Sequence, residues 1–204
     1  MTVDILEKIF GSAARLKVMK LFLFHPEVII DKEDIVKKTK IAAPILTKEL
    51  KLLEDIGFIK QKSFFKEVKL KSGPKKKRVK GYILEPTFIY LNHFKNILLN
   101  TEPLSPNQII RRLGKGGKLK LVVLAGVFIK TDDSRLDLLV VGDGLKEKII
   151  KTVVGQMEAE IGKELRYAVL TTKDFKYRQS VCDRLIRDVF DYTHRVVVDK
   201  IGLQ

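Results

Sequence analysis

The residues of this chain best suited to binding chemistry form a dense run of basic side chains at positions 58–80. This segment holds ten Lys and Arg residues and a single acid, Glu67. Lysine and arginine side chains neutralise the phosphates of nucleic acid and release the counterions that surround them. More than half of the net charge of +15 therefore lies in 23 of the 204 residues. A patch this concentrated favours a polyanionic partner over the alternative, a uniformly solvated basic surface.

Metal and thiol chemistry has few candidate residues. The single cysteine, Cys182, excludes an internal disulfide and any Cys-based zinc cluster, and it is expected to be buried and inert beside Val181. The three histidines, His25, His93 and His194, are far apart and have no acid or cysteine at ligand spacing. The sequence therefore predicts no metal site and no cofactor.

The hydrophobic pattern indicates a protein outside the membrane. The longest apolar run covers nine residues, 121–129, whereas a bilayer needs about 20. The first eight residues carry acids and do not resemble a signal peptide. We expect a soluble cytoplasmic protein with no membrane partner. Its length allows one large domain or two domains of about 100 residues each.

The spacing of apolar residues in the first half predicts helices followed by a hairpin. Asp31 is placed to cap one helix, Pro44 lies in the first turn of the next, and Gly57 ends it. The predicted helices cover 4–24 with a break at Gly11, then 32–38, about 43–56 and 88–99. The predicted strands cover 58–70 and 80–84, and residues 71–78 form the loop between them, with its turn at Gly73-Pro74.

The second half follows a different order of elements. Ser105 to Gln108 form a capping box with proline at the first helical position, so a helix is predicted from there to Leu113. Strands are predicted at 118–125, 136–141 and 165–170, and helices at 145–161 and 175–190. The fold class predicted is α+β, with one domain at 1–99 and a small α/β domain at 104–204.

The first domain resembles the winged helix-turn-helix repressors of bacteria and archaea. The resemblance covers about residues 4–99, and its most specific part is the helix that contains Leu50 and Leu53, ends at Gly57 and precedes a hydrophobic strand. Independently of the family, Leu46, Leu50 and Leu53 fall at i, i+4 and i+7 and must face the core. The residues then predicted to face DNA are Ala43, Pro44, Thr47, Lys48 and Lys51, with Ile45 at the margin.

The predicted loop after this helix would be the wing. Its basic residues Lys75, Lys76, Lys77 and Arg78 suit contacts to the phosphate backbone or the minor groove, which add affinity rather than sequence choice. The resemblance also implies a homodimer formed through the first and last helices of the domain, with residues 88–99 packed across a two-fold axis. The implied partner is double-stranded DNA.

The second domain resembles minimal nucleotidyltransferases over about residues 105–192. In that family a strand ending in Gly-Ser precedes a strand on which two aspartates hold Mg²⁺. Here Gly126 is followed by Val127, the first aspartate position holds Arg135, and only Asp137 remains. Arg166 stands on the later strand that would supply a third acid, and Asp133 would lie about 13 Å from Asp137 along a strand. We therefore expect no catalytic residues and no two-metal site.

A domain that keeps such a fold without its metal ligands could bind an effector or assemble subunits. Arg135, Arg166 and Arg178 could form an anion-binding pocket for a small anionic effector or a nucleotide. Alternatively, these arginines form ion pairs with Glu158, Glu164 or Asp183. We also expect Arg135 to pair with Asp137, because opposite charges at close range attract.

Three functions are compatible with these features. The leading hypothesis is a sequence-specific transcriptional regulator that binds double-stranded DNA, with the C-terminal domain for effector sensing or assembly. The alternative is a Mg²⁺-dependent nucleotidyltransferase tethered to nucleic acid by the basic wing. The third is a protein that binds RNA or another acidic surface, although the only aromatics near the basic patch, Phe64 and Phe65, offer little for base stacking.

Overall fold

The chain divides into two compact units. The computed structural model describes residues 2–70, 73–99, 104–131 and 133–203, with the backbone alone at 2–4, 68–70 and 73–75. One unit, here called the N-terminal unit, comprises Asp4–Thr101 and Ala159–Lys163. The other, the C-terminal unit, comprises Met1–Val3, Glu102–Glu158 and Glu164–Gln204. Helices and two separate sheets are both present, in agreement with the predicted α+β class.

The N-terminal unit begins with two helices, α1 (Thr2–Phe10) and α2 (Ala13–Phe24). They are separated where the sequence predicts a break, because Gly11 adopts a positive φ of 70° and Ser12 then caps α2. The Ser12 hydroxyl accepts a hydrogen bond from the Arg15 amide at 3.1 Å. Most of α2 is buried, so it forms the centre of this unit's core.

Two further helices follow a short strand. The strand β1 (Ile30–Asp31) was not predicted, because two residues are too few to give an alternating pattern. Helix α3 (Lys32–Thr39) is capped by Asp31 as predicted, and the Asp31 carboxylate accepts from the Asp34 amide at 2.9 Å. Helix α4 (Ala43–Asp55) has Pro44 in its first turn and is followed by Gly57, which has a φ of 76°.

A long hairpin completes the three-stranded sheet of the N-terminal unit. Strands β2 (Ile59–Leu70) and β3 (Gly73–Leu84) pair antiparallel from Ile59 opposite Leu84 to Leu70 opposite Gly73, and the strand order is β1-β3-β2. The predicted loop at 71–78 is therefore wrong for most of its length. Residues 73–78 belong to β3, because their backbone groups pair with β2, and only residues 71 and 72 of that loop lie outside the described residues.

Helix α5 (Leu91–Leu99) follows the sheet and begins three residues later than the sequence predicts. Phe88 precedes it and packs edge-on against Phe58, with ring centroids 5.4 Å apart. Phe94 on α5 contacts Phe10 on α1 in the same manner at 5.7 Å. Aromatic contacts of this kind hold α1 and α5 against the core that α2 and α4 share.

The C-terminal unit is a four-stranded sheet with helices. The capping box at Ser105 and Gln108 starts α6 (Pro106–Leu113), as predicted. The sheet has the order β6-β5-β4-β7, in which β5 and β6 are parallel and the other pairs are antiparallel. The remaining elements are β4 (Lys118–Leu124), β5 (Leu138–Asp143), α7 (Glu147–Ile161), β6 (Tyr167–Leu170), α8 (Thr172–Ser180), α9 (Arg184–Asp191) and β7 (Arg195–Asp199).

Two predictions for the last part of the chain are wrong. The single helix expected at 175–190 is two helices, since Cys182 adopts a left-handed φ of 50° and Asp183 caps α9. Cys182 is exposed on this connection rather than buried. Strand β7 was not predicted, because its apolar residues form a run of only three valines, Val196 to Val198. Among the described residues, no helix has both the length and the hydropathy needed to cross a membrane.

Candidate nucleic-acid interface

One face of α4 is buried and the opposite face is open. The side chains of Leu46, Leu50 and Leu53 are 0%, 1% and 0% exposed, which confirms the predicted core face. Ile45 is 51% exposed, beside the open face. All five residues predicted to face DNA are exposed: Ala43, Pro44, Thr47, Lys48 and Lys51. The open face thus combines two small N-terminal residues, one hydroxyl and two cations.

The Thr47 hydroxyl is held by contacts on both sides. It donates to the Ala43 carbonyl at 2.7 Å within α4, and it accepts from the Lys32 ammonium at 2.6 Å. Lys32 is exposed at the start of α3, so a third cation borders the open face of α4. Lys32 is not among the residues predicted to face DNA, because the turn between α3 and α4 brings together residues 15 positions apart.

A buried carboxylate fixes α4 against α2. Glu49 is 9% exposed and accepts from the Ser12 hydroxyl at 2.6 Å and from Arg15 Nε at 2.9 Å. Arg15 also donates to the Phe10 carbonyl at 2.7 Å, so the guanidinium joins α1, α2 and α4. Hydrogen bonds to charged groups are among the stronger ones in proteins, and these fix the direction in which the open face of α4 points.

The basic residues of β3 alternate between the two faces of the hairpin. Lys76, Lys77 and Arg78 are exposed, while the side chain of Lys75 lies outside the described residues. Arg78 stands opposite Phe65, and directly opposed residues share a face. Phe65 is 71% exposed, so the hairpin presents an aromatic ring among cations.

Lys66 on β2 is engaged with acids instead of being free to bind a phosphate. Its ammonium forms short hydrogen bonds to the Asp31 carboxylate and, at 2.6 Å, to Asp34. These two bonds raise the Lys66 pKa above its ordinary value of 10.5. Burial acts to raise the Asp31 pKa, but the bonds from Lys66 and from the Asp34 amide outweigh burial, so that pKa lies below 3.8. Lys66 therefore attaches the hairpin to the start of α3.

A second lysine of the basic segment is also paired with an acid. Lys60 Nζ lies 2.8 Å from Glu85 Oε2. The hydrogen bond from Lys60, together with those from the hydroxyl and amide of Thr87, lowers the Glu85 pKa to about 2. The charge count of residues 58–80 therefore exceeds the charge available to an external partner. In the described part of this segment Lys62, Lys76, Lys77, Arg78 and Lys80 are exposed, and the side chain of Lys60 is 52% exposed despite its pair.

The arginines proposed as an anion pocket in the C-terminal unit each have an acidic partner. Arg178 Nη1 lies 3.3 Å from Asp183, as the ion-pair alternative predicts. Arg135 Nε lies 3.1 Å from Asp188, so the expected pair between Arg135 and Asp137 is wrong. Arg166 pairs with Asp137 instead, and its Nε and Nη2 each donate to one of the two Asp137 carboxylate oxygens at 3.2 Å. The three guanidinium groups are thus distributed over three aspartates.

The environment of Asp137 opposes metal binding. Its side chain is 1% exposed, and in addition to Arg166 it accepts from the backbone amides of Val127 at 3.1 Å and Arg166 at 2.9 Å. A Cβ added at Gly126 would collide with Asp137 Oδ1, so the loop closes directly over the carboxylate. Asp133, the other candidate ligand, is exposed. No group of three or more metal-binding side chains occurs among the described residues.

Comparison with known proteins adds no family. No protein-family model, no curated protein and no solved structure matches the chain.

Proposed function

We propose that the chain is a transcriptional regulator that binds double-stranded DNA in the cytoplasm. In this proposal α3 and α4 form a helix-turn-helix, α4 is the recognition helix, and the β2–β3 hairpin is the wing. The observation that carries the proposal is the open face of α4, whose two lysines and small N-terminal residues lie opposite a fully buried leucine face. The basic hairpin belongs to the same unit and supports the same partner.

The dimensions of α4 suit the major groove of DNA. Its 13 residues give a helix about 20 Å long, and a groove about 12 Å wide admits a helix. The N-terminal residues Ala43 and Pro44 are small enough to approach base edges. Lys48 and Lys51 would reach guanine or phosphate, and Ile45 would contact a thymine methyl.

The wing would add affinity without reading sequence. Lys76, Lys77 and Arg78 extend along β3 beyond the core, where cations can follow the phosphate backbone. Because they lie on a paired strand instead of a flexible loop, their spacing is fixed. Lys76 and Arg78 share one face, with about 6.6 Å between them along the strand, and Lys77 lies on the other face. Lys66 contributes by fixing the hairpin to α3 and not by contacting DNA.

Exposed apolar residues on α1 and α5 support a homodimer. Ile5 and Ile9 on α1 are 55% and 70% exposed, and Ile97 on α5 is 45% exposed. The two helices contact each other through Phe10 and Phe94, and exposed large apolar side chains on helices in contact are typical of protein interfaces. A two-fold dimer of this kind would bind two half-sites related by symmetry.

We propose that the C-terminal unit is a non-catalytic, nucleotidyltransferase-like domain that senses an effector or assembles subunits. Nucleotidyl transfer is the weaker candidate function, because the Asp137 carboxylate is saturated by two backbone amides and a guanidinium. Incubation of the chain with labelled nucleotides and Mg²⁺ or Mn²⁺ tests it. Transfer that Asp137→Asn abolishes would make the enzyme the leading candidate.

Selection of bound sequences from random duplex DNA tests the main proposal. The full chain should enrich one motif, with two inverted half-sites if it binds as a dimer. Recovery of duplexes without any enriched motif would contradict sequence-specific binding. A preference for RNA over every duplex offered would favour the third hypothesis, an RNA-binding protein.

A further inference from the structure

We propose that the C-terminal unit binds a small phosphorylated ligand of the nucleotide type in a cleft where α6 meets β4 and β7. The cleft is open to solvent and has a volume of about 620 Å³, within the usual range of about 300–1,000 Å³ for small-molecule sites. Three lysines line it: Lys118, Lys120 and Lys200. It lies at the start of β4, whereas Asp137 contacts the opposite end of that strand.

The three lysines differ from the arginines of the same unit. Arg135, Arg166 and Arg178 each contact a carboxylate within 3.3 Å. In the described part of the chain, no carboxylate lies within salt-bridge distance, 4.0 Å, of Lys118, Lys120 or Lys200. The Asp143 carboxylate interacts with Lys120 at longer range, but its oxygens accept hydrogen bonds from the amide and hydroxyl of Thr172. Cations that line one cleft without a salt bridge are the recognition elements that a phosphate group needs.

Two of these lysines are neighbours across strands. The Lys200 amide donates to the Lys120 carbonyl at 2.7 Å and so continues the β4–β7 pairing. Like charges at opposed positions of an antiparallel pair destabilise the sheet. The pairing of β4 with β5 is also interrupted between Leu119 and Leu121, and such irregularities are common beside binding sites. An anion bound between the two ammonium groups would offset their repulsion.

The one acid in the cleft does not neutralise the lysines through a direct contact. Asp199 lines the cleft, but both of its oxygens are engaged by the turn that follows β7. They accept hydrogen bonds from the backbone amides of Ile201, Gly202 and Leu203 at 2.9–3.0 Å. These bonds lower the Asp199 pKa, so the carboxylate stays ionised and the lining keeps a net charge of +2.

The remaining lining residues explain why the ligand should be more than phosphate. Ile110, Leu119 and Val197 provide an apolar wall beside the cations. A nucleotide matches this division, because its phosphates carry the charge and its base has two apolar faces. Inorganic phosphate would leave the apolar wall exposed to water.

Calorimetric titration of ATP into the full chain, with EDTA present and at about 0.15 M salt, tests the proposal. Binding should be measurable, and the variant Lys118→Gln/Lys120→Gln/Lys200→Gln should lose about tenfold or more of the affinity. The matched control Lys146→Gln/Lys173→Gln/Lys176→Gln removes the same charge from exposed positions of the same unit and should bind as the unmodified chain does.

The proposal would be overturned by no ATP binding, by equal loss in both triple variants, or by binding of inorganic triphosphate as tight as that of ATP. Because duplex DNA is absent from this titration, its outcome is independent of the proposed DNA binding. If the cleft variant instead weakens DNA binding and leaves ATP binding unchanged, its lysines contact DNA and the effector site is excluded.

A measurement without any ligand tests the like-charge contact itself. Lys200→Gln should raise the thermal midpoint of the full chain at low salt, and the rise should disappear at high salt because salt screens the repulsion. Lys120 is less suitable for this test, because its charge also attracts Asp143. Lys173→Gln, on an exposed helix, should not show this pattern. A lower midpoint for Lys200→Gln at every salt concentration would contradict the arrangement of charges on which the site depends.

Discussion

Lys66 shows that a basic residue in a charged segment can serve the fold instead of a ligand. Its ammonium is shared by Asp31, which caps α3, and Asp34, in the first turn of that helix. The side chain is 27% exposed, and that of Asp31 is 9% exposed. The contact therefore sets the position of the hairpin relative to α3 in the free protein.

We predict that Lys66→Ala lowers the free energy of unfolding by about 1 kcal/mol, since a charge-assisted hydrogen bond is lost from a partly exposed site. Lys62→Ala is the matched control on the same strand and should change the free energy of unfolding by less than about 0.5 kcal/mol. Urea unfolding at neutral pH measures both. Equal effects would mean that the Lys66 contact has no structural role.

The contact between Lys66 and Asp31 should stabilise the fold only within a limited range of pH. The Asp31 pKa is lowered on folding. The contribution of Asp31 to the free energy of unfolding is therefore present above the ordinary pKa of 3.8, and it is lost as the pH falls through the pKa of the folded state. The Lys66 pKa is raised on folding. The contribution of Lys66 to the free energy of unfolding is therefore present below pH 10.5, and it is lost as the pH rises through the pKa of the folded state. The stability difference between the unmodified chain and Lys66→Ala should shrink outside this window. A difference that is constant from acid to alkaline pH would contradict the ion pair.

Arg166 provides the corresponding prediction in the C-terminal unit. Arg166→Gln leaves the Asp137 carboxylate buried without a countercharge, so we expect a loss of about 2 kcal/mol in the free energy of unfolding. This value is reduced for solvent screening, because the Arg166 side chain is 49% exposed. Arg178→Gln removes a more exposed pair and should cost less than about 1 kcal/mol. A smaller loss for Arg166→Gln than for Arg178→Gln in chemical denaturation would refute this role.

At the scale of elements, local signals in the sequence predicted most helices. The caps at Asp31 and Ser105, the break at Gly11 and the end of α4 at Gly57 depend on residues within a few positions of each other. The buried face of α4 followed from periodicity alone. These features could be predicted because helical hydrogen bonds and caps are local.

The elements that were missed depend on distant pairing. Residues 73–78 carry Gly, Pro and four cations, a composition typical of a loop, yet they form a strand because β2 supplies a complementary partner. Strand β1 exists only through its pairing with Tyr82 and Gly81. In the same way, the partner of Asp137 is 29 positions away at Arg166, and no sequence spacing predicts such a contact.

The basic residues of the β2–β3 hairpin should contribute to the affinity for duplex DNA and to its dependence on salt. Lys76→Ala/Lys77→Ala/Arg78→Ala should weaken binding to all duplexes alike, because phosphate contacts carry no sequence information. Each lost phosphate contact should reduce the slope of log K against log salt by about 0.9. Fluorescence anisotropy over a salt series measures both quantities. An unchanged slope would mean that the wing does not contact the phosphates.

At the scale of the whole molecule, the dimer is the first proposal to test. Ile9→Glu/Ile97→Glu places charges on the exposed apolar surface of α1 and α5 and should convert a dimer into a monomer, as measured by light scattering. Val28→Glu changes a residue that is 52% exposed and lies outside both helices, so it should leave the assembly unchanged. If the unmodified chain remains a monomer at all concentrations, the homodimer proposal is wrong.

Whether α4 reads the sequence of duplex DNA is tested by comparing binding to a selected duplex and to a scrambled one. For the unmodified chain the ratio of the two dissociation constants should be on the order of 10³ or more. Lys48→Ala/Lys51→Ala should reduce that ratio by about tenfold or more, since each specific base contact is worth about 1–3 kcal/mol. Lys173→Ala/Lys176→Ala, exposed lysines on α8, should leave it unchanged. A ratio near one for the unmodified chain, or a ratio unaffected by the α4 substitutions, would contradict the assignment of α4 as the recognition helix.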